Sequence, residues 1–258
     1  MQHKRTNQND EEPSSTNIMQ QAQAEVARGS VAWYRASKRA QVFILLSFVE
    51  FALFTILAVF VHFHSVDAVD VAISQEFQEN HAAWLQTTMI LVSYLGSHLF
   101  LFAALILLTA VVFWLVRLRL EAILIMALSV FSAALNFGLK VLVNRPRPTA
   151  NLVDVVQQAT GQSFPSGHVM SYVAFFGLFF SLGVILLKRD RWWHYLVLII
   201  PALFVILVGP SRIYLGAHWA SDVLGAYLLG AFLLGITLWI YLVLKTRGVF
   251  SPELRPGE

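Results

Sequence analysis

The chain contains no cysteine. Disulfides and thiolate metal sites are therefore excluded, while the compartment is left undecided. It is also poor in charge. Only 13% of its 258 residues are Asp, Glu, Lys or Arg, against roughly 25% in an ordinary soluble domain. No internal repeat and no low-complexity segment occurs. No soluble stretch interleaves basic and aromatic residues, which argues against a nucleic-acid partner. One loop, residues 64–82, has no Lys or Arg but carries Asp67, Asp70, Glu76 and Glu79.

What is abundant is apolar surface, at 57% of residues. A membrane-crossing helix needs about 20 mostly apolar residues. Six stretches qualify, at about 42–63, 98–116, 121–142, 167–187, 194–213 and 221–244. The expected fold is all-α, a bundle of six transmembrane helices. The first stretch is too long and too far into the chain for a cleaved leader. Residues 83–95 are apolar but short and interrupted at Gly96, so they are expected as an interfacial helix before the second span. Pro201 and Pro210 are expected to bend or end the fifth.

The expected organisation is a tail at 1–40, a six-span domain at 41–245 with its polar core at 140–222, and a second tail at 246–258. Residues 1–17 read as disordered. Residues 18–40 read either as a helix on the membrane surface, with Trp33, Tyr34, Arg35, Lys38 and Arg39 at headgroup level, or as a basic flank to the first span. Lys and Arg collect in cytoplasmic loops. With both ends inside, 14 of the 18 basic residues fall inside, and only Lys140, Arg145, Arg147 and Arg212 fall outside. Parity then brings the end of span three, the start of span four, the end of span five and the start of span six to one extracytoplasmic face.

Those helix ends carry the chain's unusual polar residues. They read Lys140-x6-Arg147-Pro148, then Pro165-Ser166-Gly167-His168, then Ser211-Arg212-x5-His218-x3-Asp222. Lys140, Arg147 and Arg212 suit a phosphate group, guanidinium forks matching its oxygens. Ser166 and Gly167 open a helix, where backbone N–H groups face an anion and glycine permits close approach. His218 and Asp222 lie four apart and share a helical face. The carboxylate would fix the ring tautomer and leave the other nitrogen free to attack. His168 is then the general acid for the leaving oxygen. The cations supply the charge stabilisation, so no metal or cofactor is expected.

These three blocks resemble those of the type-2 phosphatidic acid phosphatase superfamily of integral membrane lipid phosphatases. Every fixed position of that pattern is matched between Lys140 and Asp222. The resemblance implies a histidine nucleophile, Mg2+-independent catalysis, an extracytoplasmic site and a lipid phosphate or diphosphate substrate in a bacterial plasma membrane. A polyprenyl carrier diphosphate and a phosphatidic acid-type lipid both fit. A phosphotransferase would share the phosphohistidine, and a non-catalytic lipid-binding protein is the third reading. Nothing in the sequence sets an oligomeric state.

Other polar residues read as ordinary. Arg145 is expected as a solvated loop cation, a second phosphate contact being the other reading. Asp154 is expected to be solvated, and His62, His64, His81, His98 and His194 interfacial or structural. Glu50 lies mid-span, where an ionised group is costly. Trp192 and Trp193 suit an interface anchor, and the Phe-rich run at 175–180 suits lipid contact or core. The first two spans and residues 64–97 are expected to shape lipid entry.

Overall fold

The computed structural model describes residues 41–187 and 191–247. The expectations for 1–40, for Lys188 and Arg189, and for the tail from 248 onward lie outside the described residues. Contacts divide the chain into Met1–Leu46 and Ser47–Glu258, and the site belongs to the second unit.

Among the described residues all regular structure is helical, as expected. In order come α1 (Gln41–Phe63), α2 (Ala68–Gln78), α3 (Ala83–Ser97), α4 (Leu99–Leu115) and α5 (Arg119–Val143). Then follow α6 (Gly167–Tyr172), a π turn (Val173–Gly177), α7 (Leu178–Leu186), α8 (Trp192–Tyr214) and α9 (Ala220–Thr246). Five elements are long and apolar enough to cross a membrane: α1, α5, the continuous run Gly167–Leu186, α8 and α9. Helices α3 and α4 qualify only as a pair, bent by 71°. This makes the chain an integral membrane protein.

One local expectation needs correction and another is narrowed. The break between α3 and α4 falls at His98, not at Gly96, which stays helical. Gly96 serves a contact instead: a Cβ there would collide with the ring of His168. Neither Pro201 nor Pro210 ends α8, which runs through both. At Pro210 the missing N–H removes the ladder bond to Ile206, and the Tyr227 hydroxyl donates to the carbonyls of Val205 at 2.6 Å and Ile206 at 3.3 Å. A neighbouring side chain thus satisfies what proline leaves open.

The same device recurs on α3. The N–H of Gly96 donates to Tyr172 Oη at 3.1 Å, and that hydroxyl donates on to the Val92 carbonyl at 2.7 Å. On α8 the N–H of Gly209 donates to Tyr227 Oη at 3.1 Å. In both helices a phenol from another helix bridges the N–H and the carbonyl of one rung of the ladder. Tyr172 also belongs to the aromatic core, stacking on Phe102 at 5.5 Å, while Phe176 stacks on Phe204 at 4.7 Å. Phe175 and Phe176 are buried, so the start of the Phe-rich run is core.

Parity holds in the packing. The His62 ring contacts the Val143 carbonyl at 3.1 Å, so α1 and α5 end together. The Ser166 N–H donates to the Asp222 carbonyl at 3.1 Å, so α6 and α9 begin together.

Candidate active site

Helix α5 places Lys140 in its last turn and ends at Asn144, whose left-handed backbone (φ 49°) returns its N–H to the Lys140 carbonyl at 3.0 Å. Asparagine tolerates that conformation. Helix α8 brings Arg212 in its last turn. Gly216 then turns the chain with φ 65°, and a side chain there would collide with the Asp154 carbonyl. His218 follows, and Asp222 lies in the first turn of α9, where its carboxylate accepts from the Trp219 N–H at 2.9 Å. An acid at a helix start also suits the macrodipole.

His218 is buried, 2% exposed. Its Nδ1 lies 3.4 Å from Asp222 Oδ2, and its Nε2 lies 3.2 Å from Arg147 Nη1. Arginine only donates, so Nε2 holds the lone pair and Nδ1 the proton. Burial pushes the imidazole down to about 3, with the Arg147 and Arg212 charges acting the same way and Asp222 opposing them. His218 is therefore neutral near pH 7. Burial also lowers the Arg147 guanidinium from its ordinary value, with Asp222 opposing.

His168 belongs to a second chain of bonds. Arg212 Nη1 donates to Gln157 Oε1 at 2.7 Å and also to Ser93 Oγ. The Gln157 amide donates to Ser97 Oγ at 3.0 Å, and Ser97 directs its own hydrogen to the Ser93 carbonyl at 3.0 Å. Ser97 Oγ, 3.1 Å from His168 Nε2, is left to accept there, so that nitrogen carries the proton. The two histidines thus present opposite tautomers, one a lone pair and the other an N–H.

Lys140 and Arg147 rest on neutral carbonyls, most of them from residues 160–163. Lys140 Nζ donates to the carbonyls of Gln162 at 2.6 Å and Ser163 at 3.4 Å. Arg147 donates to the carbonyls of Gly161 at 3.0 Å, Thr160 at 3.2 Å and Ala217 at 2.7 Å. Carbonyls and amides hold a cation in place without cancelling its charge. Lys140, Arg147, Gly167, His168 and His218 line one cavity of about 280 Å3, whose other wall includes Leu99, Phe102 and Ala133. Ser166, Arg212 and Asp222 stand behind it. Ser166 Oγ and Arg212 Nε are buried with no partner within the protein.

Arg145 overturns its expectation as a solvated cation, being only 1% exposed. It donates to Asp222 Oδ1 at 2.6 Å, Ser221 Oγ at 2.6 Å, Asp70 Oδ2 at 2.7 Å and the Ser65 carbonyl at 2.9 Å. Asp154 is exposed, as expected. Asp70, Ser93, Gln157 and Ser163 escaped sequence reasoning. For Asp70 a signal existed, an acidic loop with no Lys or Arg of its own facing four outward cations. For Gln157 and the serines none did.

Helical segments suited to a bilayer, closing on a pocket of cations and two histidines, define a membrane protein equipped for phosphate-ester chemistry. The profile of the PAP2 superfamily matches residues 119–245. Phosphatidylglycerophosphatase B of Bacillus subtilis is 32% identical over 183 residues, covering 71% of this chain and 88% of its own. An undecaprenyl-diphosphatase of Sulfolobus acidocaldarius is 37% identical over 75 residues, 29% of this chain and 31% of its own. Among solved structures, a PAP2-type phosphatidylglycerolphosphate phosphatase from Bacillus subtilis matches with a TM-score of 0.65 at 28% identity, covering 76% of this chain and 96% of that one. Aquifex aeolicus LpxE shares the fold, with a TM-score of 0.50 at 23% identity over 67% of this chain and 96% of its own. The chain belongs to the PAP2 superfamily.

Proposed function

We propose that the chain hydrolyses a lipid phosphate or diphosphate through a phosphohistidine on His218. The observation that carries this reading is the 3.2 Å approach of Arg147 Nη1 to the lone-pair nitrogen of His218. A phosphoryl group held by that guanidinium lies beside the attacking atom. Nε2 forms the N–P bond while the P–O bond to the lipid breaks, and the proton on His168 Nε2 passes to the leaving oxygen. Water then attacks phosphorus with His168 as base, releasing phosphate and restoring both rings.

Charge supports the same reading. Lys140, Arg145, Arg147 and Arg212 stand against Asp70 and Asp222, an excess of two positive charges with both histidines neutral. A phosphomonoester dianion supplies the complement. This set attracts an anion and repels a divalent cation, so activity should survive EDTA. Preorganised charge supplies the stabilisation a metal would otherwise give.

The basic-residue distribution supports an extracytoplasmic site with both termini in the cytoplasm, the bent α3–α4 pair counting as one of six spans. The Leu99–Phe102–Ala133 wall suits the start of the lipid tail. In substrate class, a polyprenyl carrier diphosphate and a phosphatidate-type monophosphate such as phosphatidylglycerol phosphate agree with the relatives' names. The test is phosphate release from purified lipid mono- and diphosphates with no acceptor present. Release by the wild type and none by His218→Ala supports the reading, and transfer without release would make the protein a phosphotransferase.

A further inference from the structure

The ionic chain behind His218 does not stop at its carboxylate. Asp222 is wholly buried and its two oxygens are divided. Oδ2 serves His218, the Trp219 N–H and the Ser163 hydroxyl, whereas Oδ1 accepts from Arg145. Arg145 in turn meets Asp70, which comes from α2, outside all three motif blocks. Asp70 reaches the same helix start twice more. Its Oδ1 accepts from the Ser221 N–H at 2.8 Å, and its Oδ2 from the Ser221 hydroxyl. One carboxylate thus caps α9 from outside and orients the guanidinium that orients Asp222.

We infer that Asp70 and Arg145 are positioning residues for the attack by His218, Arg145 fixing the Asp222 carboxylate through Oδ1 and Asp70 fixing Arg145 and the first turn of α9. This rests on the phosphohistidine reading above. The physical argument is one of charge and plane. A fully buried carboxylate keeps its charge only while donors satisfy it. Without Arg145, Oδ1 loses its donor and Asp222 gains a reason to take up a proton. A protonated Asp222 no longer draws the hydrogen of His218 to Nδ1, and the lone pair is lost from Nε2. Without the Asp70 charge, the guanidinium keeps its bond to Asp222 but loses the contact that sets its plane. Neither residue lines the cavity, so neither is needed to hold phosphate there. If the network served packing alone, well-fitted neutral groups would replace it without penalty to the chemistry.

Single-turnover labelling of the full-length protein in detergent tests this. The probes are phosphatidic acid and a polyprenyl diphosphate, each radiolabelled in the phosphoryl group to be transferred. Rapid quenching gives an amplitude, which counts folded sites, and a rate constant, which reports the chemistry. Asp70→Asn, nearly isosteric, is expected to keep the amplitude and slow labelling of the protein by about 10- to 100-fold, the scale set by small misplacements of a reacting group. Arg145→Lys, which cannot span Asp70, Ser65 and Asp222 together, is expected to slow it at least as much. Wild-type rate constants in either variant, with only the amplitude reduced, would make that residue merely structural and overturn the inference. Asp70→Asn decides alone if the Arg145 variant fails to fold. A wild-type protein that releases labelled phosphate without itself becoming labelled overturns the phosphohistidine reading instead, so the two failures are distinct.

Discussion

The two ends of the bundle each bury a carboxylate in the first turn of a long helix. At one end Asp222 of α9 is paired with Arg145, and both side chains are fully buried. At the other, Glu121 of α5 is only 1% exposed but is met by Lys245, whose side chain is 47% exposed, and by the Tyr241 hydroxyl at 2.9 Å. The local chemistry is alike: an acid at a helix start, a cation, a hydroxyl. What differs is whether the charge is sealed and what it leads to. Glu121 ties α5 to α9 through a lysine that water screens. Asp222 connects to a ring nitrogen, and through Arg145 to Asp70. On the function proposed, the difference separates a fastening from a working part.

The comparison can be broken in several places. His218→Ala should lower phosphate release by about three orders of magnitude or more, as expected for loss of a nucleophile, while the protein still elutes as a folded species in detergent. Retained turnover would end the distinction between the two ends. Arg145→Met strands a buried carboxylate and should destabilise the fold by about 3–5 kcal/mol, read as a large fall in the thermal midpoint. Gly96→Ala pushes the His168 ring aside and should lower kcat by about 10- to 100-fold with little change in the midpoint. The pH dependence of stability should come from the site end. His218 titrates near 3 in the fold and near 6.5 unfolded. Below about 6.5 the unfolded chain binds a proton the folded one refuses, so stability is full above that pH and falls as pH drops from there toward 3. His218→Gln should lessen the fall of the midpoint between pH 7 and 5. Smallest of all, Lys245→Met should cost about 1 kcal/mol or less and leave turnover unchanged.

Much of the site was legible because polar residues at fixed spacing stand out in an apolar chain. Lys140, His168 and Arg212 sit at helix ends, Arg147 and His218 follow within a few residues in fixed motif spacing, and parity brings those ends together before any side chain is placed. What was illegible depends on packing. Arg145 lies in a connection, and loop membership says nothing of burial, so the expectation of a solvated cation fails there. Gly96 looked like a break because glycine favours a helix little, yet it is there for the space a Cβ would occupy. Gln157 and Ser97 are single polar residues among others. Their link between Arg212 and His168 exists only once the 144–166 connection has folded across the pocket.

The two phenols that bond into neighbouring helices carry a mechanical consequence. A spine with one rung bridged by a neighbour's hydroxyl is tied to that neighbour when it tilts. The tip of α3, bearing Ser93 and Ser97, is geared to α6, and the tip of α8, bearing Arg212, is geared to α9. Since α6 also carries His168 and α9 carries Asp222, each of these tips moves in step with the helix that bears one of the site residues.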